Sequence, residues 1–220
     1  MARLARVTIP NLPHHITQRG NRRQPTFFCD ADYELYLDLL AEWCLFYGVE
    51  IWAYCLMPNY THVIAVPKTE VALGRAMAET HRRYTRHINF EKKWKGHLWQ
   101  SRFASFPMDE AYLMNCARYV ELNPVRARLC KYPEEWRWSS ARAHMCAEDD
   151  GLVRVAPLLQ HVESWQRFLA DDLSQKDHLK LQQHERTGRP LGDDNFVQNL
   201  EEQLGRPLLP KKPGPKPRDR

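Results

Sequence analysis

The chain has 220 residues, of which 43% are hydrophobic and 27% charged, and this is typical of one globular domain, alone or with an appendage. It contains no run of about 18 apolar residues, and its first six residues lack the apolar core of a signal peptide, so we expect neither a membrane span nor secretion. Its six cysteines form no Cys-x-x-Cys pair, which favours a reduced, cytoplasmic chain over a disulfide scaffold or a zinc ribbon.

The net charge of +5 is unevenly distributed. The segment from Arg206 to Arg220 carries six Lys/Arg and one Asp, so the rest of the chain is formally neutral. A second basic stretch, from Arg75 to Arg102, has eight Lys/Arg and two Glu, whereas residues 143–205 have twelve acids and six bases. A basic patch on a neutral body indicates a polyanionic partner, and a solvated helix face is the alternative interpretation.

Apolar periodicity predicts an alternation of strands and helices along the first two thirds of the chain. In chain order we predict a strand at 14–19, a helix capped by Asp30 that runs to about Phe46, strands at 49–57 and 60–66 joined by Pro58-Asn59, a helix at about 70–90, an extended aromatic segment within 98–106, and a helix capped by Asp109 that runs to about Leu122. This order predicts an α+β protein with a ferredoxin-like antiparallel sheet and packed helices.

The composition changes after about residue 147, where acidic helical segments follow. A short helix capped by Asp193 or Asp194 is predicted to end at Gly205. Residues 207–220 contain five prolines and are predicted to be disordered when unbound. We therefore divide the chain into a domain at 1–146, a helical accessory segment of DNA-binding type at 147–206 and a basic tail at 207–220.

Two residue pairs have the chemistry of a reaction site. Tyr60 and His62 share one face of a predicted strand, and imidazole is a good metal ligand, although a single histidine is also a common structural residue. Tyr119 and Asn123 share one face of the predicted helix that follows Asp109. Tyrosine serves as a covalent nucleophile, and His and Asn ligands with open positions suit Mg or Mn. Periodicity alone leaves open whether Tyr119 is simply a core residue.

Four segments carry a more specific resemblance. They are YCLMPNYTH (54–62), GHLWQSRF (96–103), ARYVELNPV (117–125) and WRWSS (136–140), in that order. Together they resemble the REP-associated tyrosine transposases, a family of single-tyrosine HUH transposases, over about residues 5–145. The segment from Gly188 to Arg206 resembles the C-terminal part of a subgroup of that family.

The resemblance implies a function and a role for each matching residue. Tyr119 would be the nucleophile that cuts single-stranded DNA, leaving a 5′-phosphotyrosine and a free 3′-OH that the reverse reaction rejoins. His62 would be the second histidine of the HUH pair, and Asn123 would be the third ligand of a divalent metal, Mg or Mn. The expected substrate is a hairpin-forming repeat, which would associate the protein with the nucleoid. Monomer and homodimer both remain open.

In this resemblance, the first HUH histidine would fall on Tyr60. A phenol keeps its proton up to a pKa of about 10 in isolation and is therefore a poor ligand for Mg at neutral pH. Three outcomes follow: weaker metal binding through His62, Asn123, phosphate and water; coordination of a more acidic metal by Tyr60; or loss of cleavage with retention of binding. The last would make the chain a non-catalytic DNA-binding protein. A replication or conjugation relaxase fits the motifs poorly.

Basic residues near the aromatic segment are the predicted phosphate contacts, with Trp94 or Trp99 in a stacking or packing role. They are Arg82, Arg83, Arg86, Lys92, Lys93, Lys95 and Arg102. The tail, with Lys211, Lys212 and Lys216, resembles an AT-hook whose central Gly-Arg-Pro is replaced by Gly-Pro-Lys. A flexible cationic arm of this kind suits a DNA minor groove, and a solvated tail is the alternative.

Overall fold

The computed structural model describes residues 6–171 and 174–209, and its centre is a four-stranded antiparallel sheet. The strands lie in the order β2-β3-β1-β4, which is the ferredoxin-like order, so the predicted α+β class is confirmed. Their bounds are β1 His14–Arg19, β2 Val49–Met57, β3 Tyr60–Pro67 and β4 Ala104–Pro107. Strand β1 lies between β3 and β4 and pairs with both, so a side chain on β1 has neighbours on two strands.

Two long helices cover one face of the sheet. They are α1 (Asp30–Tyr47) and α2 (Ala72–Glu91), which pack on each other and on the side chains of Ile16, Val63 and Ala65. Gly48 ends α1 in the left-handed conformation, as predicted. The start of α1 differs slightly from the prediction: Asp30 is the first helical residue, and the Asp32 carboxylate accepts from the Phe28 and Cys29 amides.

The opposite face of the sheet is covered by α3 (Glu110–Glu121), whose predicted cap is confirmed because Asp109 Oδ1 accepts from the Tyr112 amide. The remaining helices are α4 Asn123–Arg126, α5 Ala141–Cys146, α6 Ala156–Leu159, α7 Trp165–Ala170, α8 Gln175–Thr187 and α9 Asp194–Leu204. Helices α6, α7 and α8 share an apolar cluster with α3 and the sheet, through Leu158, Trp165 and Leu181 among others. Within the two described ranges, no helix is long and apolar enough to cross a membrane.

The predicted extended segment at 98–106 is a strand only from Ala104 onward. Before it, Trp99 forms an isolated bridge with Gly20, and the Gln100 amide donates to the Arg19 carbonyl. A Cβ atom on Gly20 would lie 2.3 Å from the Gln24 carbonyl oxygen, so the turn that receives Trp99 requires glycine. Trp99 is 9% exposed and belongs to the core, in agreement with a packing role.

Three buried histidines are held neutral by the fold. His14 accepts from the Ile9 amide through Nε2 (3.1 Å), and its Nδ1 lies 2.8 Å from the Leu12 carbonyl oxygen, to which it donates. Burial lowers the pKa of His14 from 6.5 to about 4, although the Leu12 carbonyl partly opposes this. Burial likewise lowers the pKa values of His15 and His81 to about 3. The unfolded chain binds a proton at each of these histidines more tightly than the folded chain does. The three histidines therefore contribute to folding stability above about pH 6.5, and this contribution is lost as the pH falls toward their pKa values in the folded protein.

We expect His14→Gln to flatten the pH dependence of folding stability. Glutamine retains a donor and an acceptor but takes up no proton, so the loss of unfolding free energy between about pH 7 and about pH 5 should shrink by about 2 kcal/mol. Urea denaturation at both pH values measures this loss. The exposed His97, replaced in the same way, serves as the control. Equal pH dependence in wild type and His14→Gln would contradict the assignment.

Candidate active site

A cavity of about 690 Å³ lies among the ends of β1 and β3, the loop before β4, and the helices α3, α4 and α8. Its described lining contains four arginines, Arg19, Arg23, Arg102 and Arg126, and no carboxylate. A concave surface lined by one sign of charge concentrates the opposite charge. The cavity is therefore suited to a polyanion such as a DNA backbone.

The strand register brings His62 to this cavity and places His15 beside it. Thr17 of β1 pairs with His62 of β3, and Arg19 pairs with Tyr60, so all four side chains lie on the face that α3 covers. His15, two residues before Thr17, lies on the same face. His15 was not predicted as a site residue, because the sequence does not reveal which strand pairs with β1.

His15 and His62 form a buried, neutral pair. His15 Nε2 and His62 Nδ1 lie 2.9 Å apart, and the two rings are stacked with centroids 5.0 Å apart. Burial holds the pKa of His62 well below 6.5, and the neighbouring His15 and Arg19 lower it further. The imidazole of His62 is therefore uncharged at neutral pH, which is the form that binds metal ions.

Tyr119 lies under these histidines and is only 6% exposed. Its ring meets that of His62 edge-on at 5.4 Å, and that of His178, from α8, at 5.3 Å. Arg126 Nη1 donates to the Tyr119 carbonyl (3.3 Å), and the guanidinium carbon lies 5.6 Å from the ring centroid. Helix α8 is tied to α3 by a hydrogen bond from Lys180 Nζ to Tyr112 Oη (2.7 Å). Tyr119 is thus enclosed by the sheet on one side and by α8 on the other.

Tyr60 and Asn123 are joined directly. Tyr60 Oη donates to Asn123 Oδ1 at 2.7 Å, and the Arg19 guanidinium lies 5.2 Å from the Tyr60 ring centroid. Both residues line the cavity together with His62 and Tyr119. The four residues that the sequence places at the reaction site therefore meet at one cavity.

The side chains present fit a hydrated divalent cation held by two neutral protein donors. His62 would bind through Nε2, since Nδ1 is engaged with His15, and this requires the Nδ1 proton to be donated to His15. An amide oxygen has two lone pairs, so Asn123 Oδ1 can accept from Tyr60 and still bind a cation. Tyr60 keeps its proton in this hydrogen bond, and a protonated phenol is a poor ligand for Mg. In residues 6–171 and 174–209, no group of three or more His, Cys, Asp or Glu could hold a metal ion.

A buried carboxylate fixes the helix that carries Tyr119. Glu121, at the end of α3, is fully buried and accepts from Ser140 Oγ (2.5 Å), His144 Nδ1 (2.6 Å) and Trp165 Nε1 (2.7 Å). These donors belong to the start of α5, to α5 itself and to α7. Removing one donor from a buried acceptor costs more than the hydrogen bond itself contributes. Glu121 was not recognised in the sequence, where it is one acid on a mixed helix.

We expect Trp165→Phe to lower the free energy of unfolding by about 1–3 kcal/mol more than a matched Trp→Phe change elsewhere. The matched control is Trp99→Phe, because Trp99 is also buried but its Nε1 has no hydrogen-bond partner among the residues that the structure describes. Both variants lose similar ring area, so denaturant titration isolates the hydrogen bond to Glu121. Equal losses in the two variants would show that this bond contributes little.

The predicted phosphate contacts are spread over a wider surface than the cavity. Of these predicted contacts, Arg102 lines the cavity. Arg82 and Arg83 approach Glu79 at 2.6 Å and 3.6 Å, and Arg83 also lies 4.5 Å from the Trp43 ring centroid. Arg86, Lys92, Lys93 and Lys95 are exposed. Lys211, Lys212 and Lys216 lie outside the described residues. Sequence reasoning missed Arg19, Arg126 and His178 as site residues, because only the folded chain brings them to Tyr119.

Residues 8–123 match the family model described as "Transposase IS200 like". This match spans more than half of the chain, and the protein therefore belongs to the IS200-like transposase family, whose members nick and rejoin single-stranded DNA and are typically metal-dependent.

One solved structure shows the same architecture, and a second is similar over part of the chain. The structure of the REP-associated tyrosine transposase bound to a REP hairpin superposes with a TM-score of 0.58 at 19% identity, covering 70% of this chain and 89% of that chain. A putative transposase from Deinococcus radiodurans gives a TM-score of 0.39 at 20% identity, covering 55% of this chain and 96% of that chain. No curated protein matches the chain.

Proposed function

We propose that the protein nicks and rejoins hairpin-forming repeat DNA as a transesterase, with Tyr119 as the nucleophile. The supporting observation is that Tyr119, His62 and Asn123 line one arginine-rich cavity. The REP hairpin bound by the structurally similar transposase supports the substrate class. Residues 1–146 would be the catalytic domain, and the accessory segment 147–206 would complete the site through α8.

The proposed chemistry is a transesterification at phosphorus. Tyr119 Oη attacks the phosphodiester, a new O–P bond forms, and the bond from phosphorus to the 3′ oxygen breaks. The phenolic proton passes to the imidazole of His178, whose ring is a direct neighbour of Tyr119. The leaving 3′ oxygen takes up a proton from solvent and becomes a free 3′-OH. Rejoining reverses these steps, so no external energy source is required.

Charge on the phosphate is offset by the cavity. Arg19, Arg102 and Arg126 line it and would contact the non-bridging oxygens. A bound Mg or Mn would supply further polarisation of the phosphodiester. We propose His62 and Asn123 as the residues that hold this cation, with substrate phosphate and water as the remaining ligands. Tyr60 orients the Asn123 amide by its hydrogen bond.

Tyr119→Phe should abolish the covalent protein–DNA adduct, because it removes the attacking oxygen and leaves the ring in place. The measurement is adduct formation on a labelled hairpin oligonucleotide with Mg or Mn. Tyr60→His, run alongside, should strengthen metal dependence by restoring an imidazole at the first HUH position. Cutting by Tyr119→Phe at the wild-type rate would refute the assignment of the nucleophile.

A second function is favoured by one specific contact. The phenol of Tyr60 donates to the same amide oxygen that would bind the cation, which weakens the metal site. A non-catalytic protein that binds the same hairpins is therefore the alternative. The two are separated by the assay above: adduct formation by wild type supports the enzyme, and adduct formation by Tyr60→His alone supports the binder.

His178→Ala should slow adduct formation by about 100-fold, and added imidazole should partly restore the rate. A merely structural role for His178 would not respond to imidazole. The control is Gln183→Ala, an exposed position on the same helix, which should behave as wild type. An unchanged rate for His178→Ala, or a loss that imidazole does not affect, contradicts the proposed proton transfer.

A further inference from the structure

We propose that single-stranded DNA flanking the cut runs from the cavity onto a second surface, where its unpaired bases stack on Phe28 and Trp94. We call this surface the aromatic corner and define it by Phe28, Phe90, Trp94 and the lysines at 92, 93 and 95. The inference rests on the proposed function, because it concerns the strand that the cavity would hold.

The aromatic corner exposes large rings to solvent. Phe28 is 36% exposed, Trp94 45% and Phe90 80%. The Phe28 and Trp94 rings meet edge-on with centroids 5.7 Å apart, and Lys92 Nζ lies 4.3 Å from the Phe28 centroid. Clustered exposed aromatic side chains forgo the stabilisation of burial and commonly mark a binding site.

Cations surround these rings. Arg22, Arg23, Lys92, Lys93 and Lys95 are all exposed. The acids that adjoin these residues in the sequence are Glu91, Asp30 and Asp32, of which Asp30 is paired with Arg137 at 3.0 Å and Asp32 is buried and accepts from backbone amides. The surface therefore carries a net positive charge, as expected for contact with a phosphate backbone.

The backbone beneath these cations is strained. Arg22 and Arg23 have φ angles of 53° and 61°, and Lys93 has a φ of 54°. Residues with side chains rarely adopt this left-handed conformation, which costs on the order of 1 kcal/mol each and is concentrated at functional sites. Strain at three basic residues in two adjoining loops indicates that the directions of their side chains are important for binding.

The aromatic corner adjoins the cavity. Arg23 lines the cavity, and its loop is bound to the loop of Trp94 by hydrogen bonds from the Asn21 amide to the Leu98 carbonyl (2.8 Å) and from Asn21 Nδ2 to the His97 carbonyl (3.4 Å). Asn89 Nδ2 donates to the Gly96 carbonyl (3.0 Å) and ties the same loop to α2. A strand that leaves the cavity past Arg23 therefore meets the aromatic corner next.

Unpaired DNA suits this surface better than a duplex or a protein does. Ring faces bind bases that are not already stacked in a helix, and lysines track the phosphates between them. A protein partner of apolar character would leave the surrounding cations without counter-charges.

The test compares hairpin oligonucleotides without a tail and with a single-stranded tail of about six nucleotides on either side of the cut. For the wild type, we expect a tail on one side to tighten binding by about tenfold or more, and an abasic tail of equal length to give little of that gain. Phe28→Ala with Trp94→Ala should lose the gain and keep wild-type affinity for the hairpin without a tail. Trp94→Phe should retain most of the gain in affinity that the tail produces.

Phe46→Ala is the matched control, because Phe46 is 72% exposed near the end of α1 and away from this surface. The proposal is overturned if no tail tightens wild-type binding, if the abasic tail gives the full gain, or if the double alanine variant keeps it. Formation of the covalent adduct is measured separately. If a tail tightens binding but no adduct forms, the proposed transesterase function is contradicted and the proposed binding role of the aromatic corner is supported.

Discussion

The geometry of the site depends on a buried carboxylate, Glu121. It is fully buried at the end of α3, and donors from three separate positions in the chain saturate it. Rotation of α3 about its axis would break these hydrogen bonds and leave a buried carboxylate unsatisfied, at a cost of several kcal/mol. Because Tyr119 lies two residues before Glu121, the network that holds α3 also fixes where the phenol lies relative to His62.

The cavity combines neutral and basic groups. The sheet contributes His62, with His15 directly behind it, and burial keeps both imidazoles neutral; Arg19 of β1, Arg23, Arg102 and Arg126 of α4 contribute guanidinium groups. Neutral imidazole can bind metal or exchange protons, whereas guanidinium can only attract and orient a phosphate. In the proposed reaction, the arginines would hold the substrate and the imidazoles would act near its reacting atoms.

Much of the fold follows from local patterns in the sequence, and much of the site does not. Periods of two and 3.6 residues, with caps at Asp109 and Gly48, predicted most element bounds to within a few residues. The strand prediction failed before Ala104 because the Gly20 turn, a distant tertiary contact, holds Trp99 in the core instead. His15 and His178 are brought to Tyr119 by the strand register and by the packing of α8, and the spacing of residues in the sequence predicts neither.

Tyr60, at the position where the proposed HUH pair would have its first histidine, contributes to how the site is held together. A metal ion bound by residues of β3 and by Asn123 would connect the sheet to α4 and so organise the site on binding. The hydrogen bond from Tyr60 Oη to Asn123 Oδ1 connects the same two elements directly. With that contact and the Glu121 network in place, the position of Tyr119 does not depend on a cation. In the proposed reaction, a cation would therefore mainly offset negative charge, and the arginines that line the cavity would share that task.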